Sequence, residues 1–203
     1  MGRPLRSDAV RQSFRDTVVC GIEFAPLAPD PDYFKTSTNL SDQTTTLAAA
    51  SMTASVAPQW PVVPVLVITN DKASGEESWT GVSATILGYD QFGELRPNTV
   101  DAVNSSDTWT ATFTRAYCSL KSITFTVTGG TDVDSSDSYV LGFAKTYGLG
   151  QNIARSADVL IHNFDGAADD GTISTVYGTY TIDGTPDGSK LLNLYVRSTS
   201  ATG

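Results

Sequence analysis

The chain has 203 residues, 17% of them charged, with a formal net charge of -9 and an isoelectric point near 4.4. This acidity excludes nucleic acid as the main partner, because nucleic-acid backbones attract basic surfaces. A chain of this length can bury a core without a disulfide or a metal, and it has no apolar run of about 18 residues that would span a membrane. We therefore expect no cofactor and no membrane contact.

Residues 1–59 differ in composition from the rest and predict an extended N-terminal arm. Four of the thirteen basic residues lie in the first fifteen positions: Arg3, Arg6, Arg11 and Arg15. Three closely spaced prolines between residues 26 and 31 then exclude a helix or an inner strand. Large apolar side chains in the arm, including Phe24, Tyr33 and Phe34, need a surface to pack against. We predict that these arginines and aromatic residues contact a partner; packing along the arm's own domain is the alternative.

Short apolar or alternating runs follow from residue 60 onward, separated by Gly, Asp and Asn, and they predict β-strands. The clearest runs are residues 62–69, 79–89, 108–114, 119–128 and 191–197. Weaker runs lie at residues 139–143, 159–163 and 173–180. Many short strands with almost no helix signal predict an all-β protein. Residues 60–203 would form an antiparallel β-sandwich or jelly-roll-like domain, preceded by the arm at residues 1–59.

The alternation is strictest at residues 119–128. Ile123, Phe125 and Val127 fall on one side of this predicted strand, whereas the other side carries serine and threonine. The wet side therefore bears hydroxyl groups and no titratable group. This pattern predicts a stable, uncharged surface rather than an active site.

His162 is the only histidine, so any Ser-His-Asp or Cys-His arrangement would have to use it. It lies in a strand-like run, and no G-x-S-x-G motif marks a nucleophile. We therefore predict that His162 is a polar residue of a strand face and that the protein is not an enzyme.

Asp165, Asp169 and Asp170 lie together on a glycine-bearing loop. Carboxylate oxygens suit a hard cation such as Ca²⁺, but the spacing does not match a calcium-binding loop. Aspartate also forms turns by accepting hydrogen bonds from local backbone N–H groups. We predict solvated turns and no metal, with calcium binding by these three residues as the alternative.

Two further patterns leave alternatives open. The tryptophans could stack on sugars, and paired acids could hydrolyse a glycan. The residues concerned are Trp60, Trp79, Trp109, Glu76, Glu77, Asp90 and Glu94. Cys20 and Cys118 have no metal-type spacing, so we predict two reduced thiols, with a disulfide as the alternative.

Two segments resemble the strand–turn–strand patterns of virion proteins of tailed bacteriophages. The first is Gly88-Tyr89-Asp90-Gln91-Phe92-Gly93-Glu94, followed by a strand pair that ends at residues 120–125. The second comprises residues 177–181, 185–188 and 192–195, and it resembles the closing hairpin of the same group. In both, a glycine-containing turn reverses the chain between hydroxyl-rich strands.

The resemblance implies a small, acidic β-sandwich of the capsid cement and decoration group, made in the host cytoplasm and located on the capsid surface of the virion. It implies no catalytic residues. The expected partners are the major capsid protein and further copies of this chain, with a homotrimer as the predicted assembly. The alternatives are a head–tail connector or tail structural protein and, from a different class, a carbohydrate-binding module or sandwich-fold glycan hydrolase.

Overall fold

A computed structural model describes residues 17–71, 79–129, 133–151 and 153–199. Within these ranges the chain forms fifteen β-strands, two short 3-10 helices (Ala49–Ser51 and Ser156–Asp158) and no α-helix. The first eight strands are β1 (Thr17–Phe24), β2 (Asp30–Asn39), β3 (Thr44–Ala48), β4 (Val62–Thr69), β5 (Gly81–Asp90), β6 (Leu95–Asp101), β7 (Val103–Ser105) and β8 (Thr108–Thr112). The others are β9 (Tyr117–Thr128), β10 (Ser138–Gly148), β11 (Val159–Phe164), β12 (Ala167–Ala168), β13 (Thr172–Ser174), β14 (Thr179–Thr181) and β15 (Leu192–Thr199).

Large antiparallel sheets form the body, and the prediction of an all-β, sandwich-like fold is confirmed. One run of paired strands is β7-β8-β4-β10-β2, and the other is β3-β9-β5-β6. The two runs meet at a single pairing between Val62 of β4 and Tyr117 of β9. The sheet therefore curls on itself, and its concave side holds the core.

The core follows directly from the alternation in β9. Ile123, Phe125 and Val127 are all buried, and the Phe125 ring contacts the Tyr139 ring of β10 edge-on at 5.0 Å between centroids. Burial of each such side chain stabilises the fold by about 1.5–3 kcal/mol. The strand that shows the strictest alternation in the sequence is thus a central strand of the sandwich.

Residues 17–59 contain the strands β1, β2 and β3, and they pack along the protein's own domain. β1 pairs with β15, β2 with β10, and β3 with β9. Among the described strands β2 pairs with β10 alone, and an edge position tolerates Pro31. The start of β2 crosses β10 so closely that a Cβ on Gly142 would lie 2.0 Å from the Asp30 carbonyl oxygen. The predicted boundary at residue 59 therefore separates segments that share the same sheets.

A second, smaller sheet has the order β1-β15-β11-β12, so the first and last described strands are neighbours. We call this sheet the terminal sheet. Ile22, Leu194 and Val196 are buried on its inner side. The hairpin β13-β14 belongs to the large sheet, because β14 pairs with β10, and it closes over that side. The His162 and Tyr180 rings lie 6.2 Å apart there.

One predicted strand is wrong. Residues 173–180 were expected to form a single strand, but the chain makes the hairpin β13-β14 with Gly178 at a φ of 61°. Glycine adopts this left-handed conformation without a steric penalty, so the chain turns there instead of continuing. In the described residues no helix is long and apolar enough to cross a membrane.

Candidate functional site

A buried cluster of polar side chains lies between the terminal sheet and the hairpin β13-β14. The Tyr180 hydroxyl donates a hydrogen bond to Asp169 Oδ2 at 2.7 Å and lies 3.2 Å from His162 Nδ1. The Asp169 carboxyl group also accepts the backbone N–H groups of Asp183 (3.3 Å) and Gly184 (3.2 Å). Three separate segments of chain are joined at this point.

The hydrogen bonds of the cluster are used within the protein, and His162, Gly171 and Tyr180 line a cavity of about 180 Å³ beside it. Burial, followed by the hydrogen bond to Asp169, raises the pKa of Tyr180, so this hydroxyl stays protonated and remains the donor. Its oxygen can then accept a hydrogen bond from His162. A Cβ on Gly171 would lie 2.5 Å from both the Tyr180 hydroxyl and Asp169 Oδ2, so only glycine fits beside them. The arrangement fastens the hairpin to the terminal sheet.

The three aspartates of the predicted calcium alternative do not converge. Asp165 and Gly166 form the turn between β11 and β12 with φ angles of 55° and 78°. Asp170 is exposed, whereas Asp169 is buried and bonded to Tyr180. Across the described ranges no group of three or more His, Cys, Asp or Glu residues could hold a metal ion. Asp165 therefore belongs to a turn and Asp169 to an internal hydrogen-bond network, whereas Asp170 lies on the exposed surface.

Two other buried aspartates anchor turns in the same way. The Asp90 carboxyl group accepts the backbone N–H groups of Phe92 at 2.9 Å and Glu94 at 3.1 Å, and Gly93 supplies the positive φ of this turn, 77°. Asp137 is fully buried and accepts the backbone N–H of Asp134 at 3.1 Å, and it also accepts that of the more distant Asp71 at 3.0 Å. Local N–H acceptance explains these carboxyl groups without a ligand.

The tryptophans of the sugar-binding alternative are largely used by the fold. Trp79 and Trp109 are buried in the core. Trp60 stacks on Phe24, with ring centroids 4.5 Å apart, and its indole N–H donates to the Gly148 carbonyl oxygen. These rings line a mostly apolar cavity of about 200 Å³ whose other walls include Leu27 and Tyr147. Of the candidate acids, Glu76 and Glu77 lie outside the described residues, and Glu94 pairs with Arg96.

The residues of the predicted partner-binding arm divide into two groups. Arg3, Arg6, Arg11 and Arg15 lie outside the described residues. The aromatic residues are used by the protein's own core: Phe34 is fully buried, Tyr33 packs edge-on against Phe34 and Phe143, and Phe24 packs against Trp60. Phe34 is therefore a core residue and not the partner contact that the sequence predicts, because β2 lies along β10.

The outward side of β3-β9-β5-β6 is the candidate interaction surface, and we call it the hydroxyl face. The strand register places hydroxyl residues side by side in two rows across the sheet. The rows are Thr44-Thr126-Ser83 and Thr46-Thr124-Thr85-Thr99. Neighbouring threonine hydroxyls hydrogen bond at 3.1 Å (Thr44–Thr126), 3.0 Å (Thr46–Thr124) and 2.8 Å (Thr85–Thr99). The hydroxyl groups therefore have fixed positions and form an ordered surface, and its first row ends at Asp101 on the edge strand β6.

An apolar group lies at one end of the hydroxyl face. Tyr89 and Leu95 pair across β5 and β6, Phe92 occupies the turn between them, and all three are exposed. The Lys121 ammonium group lies 5.1 Å from the Tyr89 ring centroid, a cation–π contact. The hydroxyl rows of β9 were visible in the sequence, whereas their continuation onto β3 and β6 depends on strand pairing that no short-range pattern shows.

Both cysteines are free thiols in the structure, as predicted. Burial raises the pKa of the Cys118 thiol, which lowers its thiolate fraction and hence its reactivity. Cys20 lies on β1, where its sulfur is 3.9 Å from Gln151 Oε1.

Comparison of the chain with protein-family models, with curated proteins and with solved structures finds no match. A functional proposal therefore depends on the residues and geometry described above.

Proposed function

We propose that the protein is a structural component of a tailed-bacteriophage virion, in the role of a capsid cement or decoration protein that bridges neighbouring capsid subunits. The observation that carries this proposal is the hydroxyl face. Its partner would be the major capsid protein, and its location the capsid surface, after synthesis in the host cytoplasm.

The hydroxyl face suits contact with another protein for a physical reason. Burying a charge at an interface costs desolvation energy that its partner must offset, whereas a hydroxyl group can donate or accept with a much smaller penalty. Because the threonines already hydrogen bond to one another, little side-chain freedom remains to be lost on binding. Lys121 and Asp101 lie at the margins of this face, where charge is compatible with a polar rim.

The apolar group at the end of the face adds an anchor. Exposed aromatic and aliphatic residues near an interface supply much of its binding energy when they enter a partner's pocket. Tyr89 and Phe92 belong to the segment that resembles phage virion proteins, and that segment forms the hairpin β5-β6. The segment that resembles phage proteins and the proposed contact surface therefore lie in the same part of the molecule.

The homotrimer stays a prediction.

The test uses heads of the encoding phage assembled without this protein. Purified wild-type protein should bind these heads and raise the temperature at which they release DNA. Thr124→Lys places a charge in the middle of the hydroxyl face, and we expect it to weaken head binding by at least about tenfold. Thr112→Lys is the matched control, because Thr112 is an exposed threonine on β8, outside the hydroxyl face. Equal binding by the two variants would overturn the proposal.

A further inference from the structure

Four large apolar side chains are exposed on or beside the outward side of the terminal sheet. Their exposed fractions are 54% for Val19, 47% for Tyr195, 45% for Ile161 and 43% for Leu160. Scattered apolar residues are normal on protein surfaces, but neighbouring ones on one sheet face indicate a contact surface. We call this side of β1, β15 and β11 the outer face.

The register arranges the outer face in three rows. Gly21, Tyr195 and Ile161 form the middle row across the three strands. The Tyr195 ring extends over β1, with a ring atom 3.6 Å from where a Cβ on Gly21 would lie. Because Gly21 has no side chain, the middle row is apolar and has no protruding group on β1.

Opposite charges flank this middle row. Arg197 pairs with Val19 on one side of it, and Glu23 pairs with Asn193 on the other. Arg197 also lies 4.0 Å from Asp158, but its side chain remains 45% exposed. The outer face is therefore an apolar strip with a positive group along one border and a negative group along the other.

We propose that the outer face is an interface between two copies of this chain. A two-fold axis in the plane of the face, running across the strands along the middle row, lays each apolar strip on its own counterpart. The same axis exchanges the two borders, so Arg197 of one copy faces Asn193 of the other and lies one strand spacing, about 4.8 Å, to the side of its Glu23. This charge complementarity favours a second copy as the occupant, and a two-fold contact of one surface with itself is the commonest form of self-association.

The size of the face sets the expected affinity. Three strands about 4.8 Å apart and about 26 Å long give the outer face an area of roughly 400 Å² on each copy. A standard stable interface buries about 800 Å² per partner, so this dimer should be weak and should form in the micromolar range. The inference concerns the terminal sheet alone and does not depend on a role in a virion.

The first test is sedimentation velocity of the full chain from about 1 µM to about 100 µM. The wild type should pass from monomer to dimer. Ile161→Lys should weaken dimerisation by at least about tenfold, because it places a charge in the apolar strip. Val176→Lys is the matched control, because Val176 is 80% exposed and lies outside the terminal sheet. A monomer throughout or an unaffected Ile161→Lys dimer would overturn the proposal, and so would the homotrimer that the sequence predicts, which is the competing assembly.

The second test is rescue between two variants. Arg197→Glu alone and Glu23→Arg alone each bring like charges onto neighbouring strands across the homodimer interface, so each should dimerise at least about tenfold more weakly. In an equimolar mixture both charge pairs are restored in the heterodimer, and dimerisation should recover. Matching thermal melting temperatures of the variants would show that each is folded. Failure of the mixture to recover would overturn the assignment of Arg197 and Glu23 to this interface.

Discussion

The sandwich and the terminal sheet bury their inner sides by different means. In the sandwich, long strands with apolar residues at alternate positions meet in a core, as Ile123 and Phe125 of β9 show. The terminal sheet and the hairpin β13-β14 also enclose a polar cluster, in which Tyr180, Asp169 and His162 join three segments. Apolar burial therefore dominates the sandwich, where the buried Asp90 carboxyl group anchors a turn, whereas the terminal sheet is also joined to the hairpin by hydrogen bonds with specific geometry.

The largest effect should follow from a cavity in the sandwich. Phe125→Ala removes a buried ring that contacts Tyr139, and we expect it to lower the free energy of unfolding by about 3–5 kcal/mol. Urea denaturation followed by tryptophan fluorescence measures this change. Val176→Ala, at an exposed turn, is the control and should alter stability by less than about 0.5 kcal/mol. A Phe125→Ala protein with wild-type stability would contradict a core centred on β9.

A matched pair of tyrosine substitutions compares the two regions directly. Tyr180→Phe leaves the buried Asp169 without its hydroxyl donor, so we expect a loss of about 1.5–3 kcal/mol. Tyr147→Phe in the sandwich removes a hydrogen bond to the neutral Leu27 carbonyl oxygen, and a loss of about 0.5–1.5 kcal/mol is expected. Tyr180→Phe should therefore have a lower free energy of unfolding than Tyr147→Phe. The reverse order would show that the polar cluster does not hold the hairpin.

Alkaline pH should weaken both regions through their buried tyrosines. Burial raises the pKa of Tyr117, Tyr147 and Tyr180 above the ordinary value of 10.0. As the pH rises, these hydroxyl groups lose their protons in the unfolded chain at a lower pH than in the folded protein. The contribution of the buried tyrosines to stability is therefore complete below pH 10 and declines as the pH rises above 10. Urea midpoints measured from about pH 8 to about pH 11 should fall above pH 10. Tyr180→Phe should flatten this fall, because it removes one of the buried hydroxyl groups.

The smallest effect on stability should come from the hydroxyl face. Thr124→Val keeps the shape of the side chain and removes its hydrogen bond to Thr46. Because this hydrogen bond lies on the surface, the free energy of unfolding should change by less than about 0.5 kcal/mol. The same variant should bind heads more weakly than wild type, because the hydroxyl group is lost from the centre of the contact surface. A large loss of stability would assign these threonines to the fold rather than to recognition.

The sequence predicts the two regions unequally, for physical reasons. The central strand β9 was predictable, because burial of one side imposes a period of two over residues 119–128. β3 was not predictable, because Thr44–Ala48 contains a single large apolar residue and is extended through pairing with β9. The polar cluster was not predictable either. The fold brings His162 and Asp169 into contact with Tyr180, and no spacing of these residues along the chain indicates that contact.

Electron cryomicroscopy of virions of the encoding phage would locate the protein and is the most direct test of the proposed cement role. We expect density for this protein on the outer surface of the capsid, between neighbouring subunits, with the hydroxyl face of β3-β9-β5-β6 against the shell. Density at the neck or tail, or a hydroxyl face turned to solvent, would contradict it.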